Sequence, residues 1–354
     1  MSRRWGGPLV VPALSALMVL LLAAGWLMSA RLVDGVPALA VATGRTAASF
    51  LAISLVAALH PRGWRDVRTA FGRPSGYLLL AFLGFFAYYS GTLLGIGRIG
   101  ASRVGLIVSL LPCVTFIIGL VAFGERSSVR KVCGTLLAVA AACGYAVADG
   151  SGHDAAAGTG ALLTGVLLAL GGTFTYALYG YVYRQRMADV SPLAALPAIT
   201  GAGAVMLGLA TVLFVPLGGV TAANWGGVAL LGAGLTAPVF LISHELILRK
   251  GPLYTSAVAL IVPFLIRLGE WSLGWAGAPG PVVLVLIVAC AAGVWLTVGG
   301  SRPANPAPAG SMPSEGAPSD ATTTDSATTG SAVDVEPTTD TDQPSGIRQG
   351  QGTS

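Results

Sequence analysis

PLVVPALSALMVLLLAAGWLMSA, residues 8–30, carries no charge and is bounded by Arg3 and Arg4 before it and Arg31 after it. A helix needs about 20 apolar residues to cross roughly 30 Å of hydrocarbon, where every backbone N–H and C=O must be paired within the segment. This stretch meets both demands, and comparable runs recur at 36–58, 76–96, 102–122, 131–149, 159–183, 193–216, 226–248, 252–272 and 280–299. Mean hydropathy over the 354 residues is +0.76 and only 10% are charged, values foreign to a soluble domain of this length. The pattern predicts an all-α integral membrane protein with ten transmembrane helices.

The basic residues sort by side. Arg3, Arg4, Arg62, Arg65, Arg68, Arg73, Arg126, Arg130, Lys131, Arg184, Arg186, Arg249, Lys250 and Arg302 fall on one face of this map, and only Arg31, Arg98 and Arg103 on the other. The positive-inside rule then puts both termini in the cytoplasm, which requires an even number of spans. Arg3-Arg4, an apolar run and Ser29-Ala30 imitate a signal peptide, but the run is too long and its removal would leave nine spans. Arginine supplies every basic residue except Lys131 and Lys250, a bias that suggests a GC-rich bacterial genome and hence an inner membrane. Cys113, Cys133, Cys143 and Cys290 all lie in spans without a CxxC, so they read as packing residues. Residues 301–354 are rich in Pro, Ser, Thr, Gly and acidic residues with no apolar periodicity, and are expected to form a disordered cytoplasmic tail.

The spans repeat. Ser102-Arg-Val-Gly-Leu-Ile-Val108 is similar to Ser256-Ala-Val-Ala-Leu-Ile-Val262, 154 positions on, with Pro112 and Pro263 following. Gly124-Glu125 is similar to Gly269-Glu270, 145 positions on. Both matches fall in the fourth span of a set of five, so the chain divides into residues 8–149 and 159–299. Five is odd, and the second copy therefore crosses the membrane in the opposite sense, the inverted arrangement of many alternating-access carriers. The two offsets disagree by nine residues, which suggests either a shortened ninth span or one accidental match.

At these residues the chain resembles the EamA-type branch of the drug/metabolite transporter superfamily. The resemblance runs through Gly25-Trp26, Val36-Pro37, Arg45, Gly100-Ala101-Ser102, Leu111-Pro112, Gly124-Glu125 and Gly134. It continues more loosely through Tyr176-Ala177-Leu178-Tyr179, Ser191-Pro192 and Arg249-Lys250-Gly251-Pro252. The order Gly-Trp departs from the family's usual Trp-Gly, and Pro263 and Glu270 are closer together than the family pattern places them. The resemblance covers about residues 8–299 and implies a ten-helix carrier of small metabolites, with two EamA-like repeats.

Charges and polar groups inside spans are costly and are therefore candidates for a substrate or ion pathway. Arg45 lies too deep in span 2 to reach the surface and calls for an anion, a carboxylate or helix-end carbonyls. Arg267 and Glu270, three apart, share a helix face and can pair. His244 and Glu245 can titrate in a proton-coupled cycle, while Glu245 four residues before Arg249 equally suits a plain ion pair. Tyr88, Tyr89, Tyr176 and Tyr179 can line a cavity or simply pack. Pro112 and Pro263 should interrupt their helices, Glu125 reads chiefly as part of a turn, and Trp26 is a family marker. No GxxxxGK[ST], GxSxG, HExxH or carboxylate cluster is present, so neither an enzyme, a cofactor nor a metal site is expected.

The expected partners are the lipid bilayer and a small molecule, with a proton as candidate coupling ion, a homodimer as candidate assembly and no nucleic acid. The expected function is secondary transport by alternating access, export being preferred to import. The alternative is a non-transporting sensor or scaffold whose output is the acidic tail. Removing residues 301–354 separates the two: solute flux in cells should be unchanged for a transporter, and its loss would favour the scaffold.

Overall fold

The computed structural model describes residues 9–33, 35–60, 63–99, 101–125, 128–149, 159–215, 220–275 and 277–298. They belong to one unit, Met1–Asn305. The tail expected at 301–354 lies outside the described residues.

Every apolar run of the sequence is helical. In chain order the helices are α1 (Val10–Leu32), α2 (Ala38–Leu59), α3 (Gly63–Phe71), α4 (Pro74–Ala81), α5 (Tyr88–Ile99), α6 (Ala101–Ser109), α7 (Leu111–Phe123) and α8 (Val129–Asp149). There follow α9 (Thr159–Arg186), α10 (Pro192–Phe214), α11 (Ala222–Leu230), α12 (Ala237–Lys250), α13 (Pro252–Ala259), α14 (Val262–Ser272) and α15 (Pro281–Val298). Two π-helical turns complete the set: Phe82–Ala87 joins α4 to α5, and Leu231–Thr236 joins α11 to α12. Among the described residues seven helical segments are long and apolar enough to cross a membrane, Pro74–Ile99 and Ala222–Lys250 among them. Leu111–Phe123 and Pro281–Thr297 are shorter apolar helices.

Proline and glycine punctuate these helices for opposite reasons. Pro74, Pro192, Pro252 and Pro281 open α4, α10, α13 and α15, where the missing N–H has no partner to lose. Gly124, Gly251 and Gly274 end helices at φ of 60°, 93° and 71°, backbone that a side chain would strain.

The exterior is apolar. Val121, Phe214 and Val212 are 83%, 79% and 73% exposed, which in water would be an aggregation surface and in lipid is a solvated one. Hydroxyls inside the helices are silenced locally: Ser15, Ser29, Thr46, Thr92, Thr115, Thr173 and Thr200 each donate to a carbonyl one turn back. Long-range polar contacts between the described helices include Thr43 with Thr211 at 2.6 Å, Ser15 with Tyr254 at 2.9 Å, and the Ser49 hydroxyl donating to the Gly232 carbonyl at 2.9 Å.

The expected spans at 102–122 and 252–272 are both broken helices. Leu110 separates α6 from α7, and Leu260-Ile261 separates α13 from α14, with Pro112 and Pro263 in the first turn after each break. The expectation that these prolines interrupt their helices holds. The two Gly-Glu pairs sit differently. Gly124 is the left-handed residue that ends α7, whereas Gly269 and Glu270 lie within α14. Gly274, 150 positions after Gly124, is likewise a glycine of positive φ, and Trp275 follows it. Helix α3 had no sequence signal; it lies against α10 with Val67 buried.

The pair α8 and α15 is the most extensive contact among the described helices. It depends on Gly134 and Gly293: a Cβ on Gly293 would fall 2.5 Å from the Ala138 nitrogen and 2.7 Å from the Gly134 oxygen. Backbone cannot step aside as a side chain can. Gly293→Ala should therefore destabilise the chain by about 1–3 kcal/mol, seen as a lower thermal midpoint in detergent; an unchanged midpoint would contradict this close approach.

Candidate functional site

The π turn Phe82–Ala87 ends where Tyr88-Tyr89 begin, and the π turn Leu231–Thr236 lies against α2 at Arg45. A Cβ on Gly232 would sit 2.5 Å from the Arg45 carbonyl oxygen and 2.9 Å from its Cα, so the second π turn and the backbone of α2 are pressed together there. π turns are rare and concentrate at functional sites. Here both meet the same group of side chains.

Arg45 donates through Nη2 to the Tyr89 hydroxyl, and its guanidinium carbon lies 4.8 Å from the centre of the Tyr89 ring. Tyr89 neighbours Tyr88 at 5.3 Å between centroids, and Tyr88 packs on Tyr176 at 4.6 Å. Helix α9 presents Tyr176, Tyr179 and Tyr183 along one face at 5.8 and 6.2 Å. Tyr183 meets His244 of α12 edge-on at 4.5 Å, and Phe85 closes the side of the column against Tyr179 and Phe240. The column is graded. Arg45, Tyr88, Tyr89 and Tyr176 are half-buried, while Tyr179, Tyr183 and His244 are buried.

The protons of the buried end follow from hydrogen-bond capacity. His244 Nδ1 is 2.6 Å from the Phe240 carbonyl, which can only accept, so Nδ1 carries the hydrogen. Nε2 shares a hydrogen bond with the Tyr179 hydroxyl. Both imidazole nitrogens are engaged. Two polar atoms in the column are buried without a hydrogen-bond partner: Arg45 Nε and the Tyr183 hydroxyl.

Of the residues expected from sequence, Arg45, Tyr88, Tyr179 and His244 are brought together, with Tyr89 and Tyr176 between them. Glu245 is on α12 beside His244 but turns to Arg249, at 2.5 Å. Arg267 donates to the Gly277 carbonyl at 2.9 Å, and the Glu270 carbonyl accepts from the Trp275 N–H at 2.8 Å; both lie on α14, apart from the column. Trp26 is 51% exposed on α1. Tyr183, Phe85 and Phe240 were missed. The spacing of Tyr176, Tyr179 and Tyr183 on one helical face was the available signal.

Two further contacts tie helix ends together. Glu125, directly after Gly124, accepts from Arg184 of α9 at 3.1 Å and from the Tyr181 hydroxyl at 3.1 Å. Directly after Gly274, Trp275 is covered by the guanidinium of Arg31 from α1, 3.9 Å from the ring centroid. Glycine makes room on both sides: Gly119 faces the Tyr181 hydroxyl, and a Cβ on Gly269, again 150 positions on, would be 2.6 Å from a Leu27 methyl. Elsewhere, Arg73 and Asp189 form a bidentate surface pair at 2.8 and 2.6 Å beside an open cleft of about 470 Å³. The hydrogen bond from Arg73 holds the Asp189 carboxyl below its ordinary range.

An apolar exterior, internally satisfied helices and several segments of bilayer length define a multi-pass helical membrane protein. Residues 11–147 match the EamA-like transporter family. Over that part the chain is thus similar to EamA-type members of the drug/metabolite transporter superfamily. A solved structure reported as "Crystal structure of protein" is similar in fold, with a TM-score of 0.69 at 18% identity, over 82% of this chain and 98% of that one. No curated protein matches the sequence.

Tyr179 is the keystone of the column because Gly84 of the first π turn leaves it room. A Cβ on Gly84 would fall 2.5–2.9 Å from three atoms of the Tyr179 ring. Gly84→Ala should cost about 1–3 kcal/mol by overpacking and reduce solute flux more than it reduces the amount of folded protein. Flux per folded molecule equal to the parent would remove the column from the pathway.

Proposed function

We propose that this chain is a ten-span secondary transporter of the bacterial inner membrane, built from inverted repeats at residues 8–149 and 159–299, with both termini cytoplasmic. It carries small organic molecules by alternating access, with export as the preferred direction. The observation that supports this most is the 150-position correspondence. Gly119, Gly124 and Glu125 stand to α9 as Gly269, Gly274 and Trp275 stand to α1. The broken helices and the π turns recur at nearly the same interval, and α1 packs on α14 as α9 packs on α7. An inverted pair of this kind places equivalent contacts at opposite faces of the membrane.

In this reading the Glu125–Arg184–Tyr181 contact closes the cytoplasmic end of the pathway and the Arg31–Trp275 contact closes the outer end. The Arg45–tyrosine column lies between them. Opening one end while the other stays closed is the step that alternates access. Solute drive comes from a gradient, and His244 is the candidate proton carrier, since it lies in the column while Glu245 is held by Arg249.

Two measurements test this. Metabolites exported and retained should differ between overexpressing and deletion cells, and identical profiles would count against transport. Hydrogen exchange of the chain in nanodiscs reads the two ends separately. Both closing contacts are partly exposed and worth on the order of 1 kcal/mol, about a fivefold change in an opening equilibrium. Glu125→Gln should speed exchange at residues 181–186 and spare 27–32, and Trp275→Ala should do the reverse. Changes at both ends with either variant would contradict separate gates.

A further inference from the structure

Arg45 lies about 10 Å along α2 from its nearer end, and its charge has no counter-ion among the described residues. The described carboxylates are accounted for elsewhere. Glu125 pairs with Arg184, Asp189 with Arg73 and Glu245 with Arg249. Asp66 is on α3 and Glu270 is on α14. What Arg45 does meet is neutral: one tyrosine hydroxyl and one ring face. Its Nε is buried with no acceptor at all. Leaving a desolvated cation half-satisfied is among the more costly things a membrane protein can do.

We propose, building on the transport reading, that the guanidinium of Arg45 is the recognition point for the carboxylate of an organic monoanion. The guanidinium fork matches a carboxylate in plane and can engage it with two parallel N–H groups. The unpartnered Nε supplies one of them. The charge of the ligand follows from the rest of the column. A single cation with no second basic group beside it balances one negative charge, which argues against a phosphate dianion. The column holds no carboxylate to receive an ammonium, and the His244 imidazole has both nitrogens engaged, so a zwitterion would bring an uncompensated positive charge. The body of the ligand is apolar, because the surfaces flanking Arg45 are the rings of Tyr88, Tyr89 and Tyr176. Tyr89 is then a positioning residue, whose hydroxyl holds the fork in place while the site is empty.

The test reads binding, so it is independent of flux. Full-length protein in nanodiscs is titrated with benzoate and hexanoate, each against its neutral amide, and with benzylamine and inorganic phosphate. Each carboxylate should bind at least about tenfold more tightly than its amide, the strength expected of a charge-assisted hydrogen-bonded contact, and benzylamine should not bind. Arg45→Gln should abolish the preference, and Arg45→Lys, which keeps the charge and loses the fork, should retain part of it. Equal affinity for acid and amide in the parent protein overturns the proposal, even if Arg45→Gln fails to fold. So does a preference that survives Arg45→Gln, or phosphate displacing benzoate at equal concentration. Carboxylate binding without any solute flux would keep this inference and defeat the transport reading; flux without carboxylate preference would do the opposite.

Discussion

In hydrocarbon a backbone N–H or C=O that misses its partner costs several kcal/mol, and the rest of this structure depends on how that demand is met. Continuous α-helix meets it along α1, α2, α9 and α10. The chain departs from continuous α-helix at four places within its apolar runs: the breaks at Leu110 and Leu260-Ile261, and the π turns Phe82–Ala87 and Leu231–Thr236. The prolines after the breaks relieve the demand by removing a donor where the new helix would orphan one. The π turns keep their bonds but shift partners by one residue. The departures are where the backbone geometry becomes specific to this molecule.

Specific geometry is what a binding site requires. The first π turn sets Tyr88-Tyr89 after an added residue, and the second brings Gly232 against Arg45. Ser49 reinforces that contact by donating to the Gly232 carbonyl. Arg45 is thus positioned by main chain on one side and by a tyrosine on the other, so its orientation does not depend on a counter-ion. At the far end the His244 tautomer is set by Phe240 and read by Tyr179. Between these ends the contacts are ring on ring, which tolerate small displacements and suit a surface along which something apolar moves.

The contacts after Gly124 and Gly274 use similar parts with different chemistry. Left-handed glycine, then a side chain, then an arginine from a neighbouring helix end: Gly124, Glu125, Arg184 in one case and Gly274, Trp275, Arg31 in the other. An ion pair is weakened by salt, whereas a guanidinium on an indole is also held by contact area. The two contacts therefore respond differently to the solution beside them.

The helices, their approximate limits and the interruptions at Pro112 and Pro263 were legible because transfer to hydrocarbon and the loss of a donor are properties of short stretches. Arg45, Tyr88, Tyr179 and His244 were also legible as candidates, since a polar group in an apolar run stands out wherever it points. The pairing of Gly124-Glu125 with Gly269-Glu270 was misleading. It compared residue identities, whereas Gly124 ends α7 and Gly269 lies within α14. Tyr183 and Phe240 were hidden because tyrosines and phenylalanines in spans are mostly packing.

By itself, then, the sequence determined a membrane-embedded helical chain, the order of its segments and the handful of polar groups whose burial has to be explained. The tertiary structure alone decided which of them meet. One residue added in a π turn rotates everything after it by about 100°, so the face on which Tyr89 emerges cannot be read from a 3.6-residue period. Whether Arg45 finds a carboxylate likewise depends on distances between helices that no local pattern encodes. Among the described residues it meets Tyr89 instead.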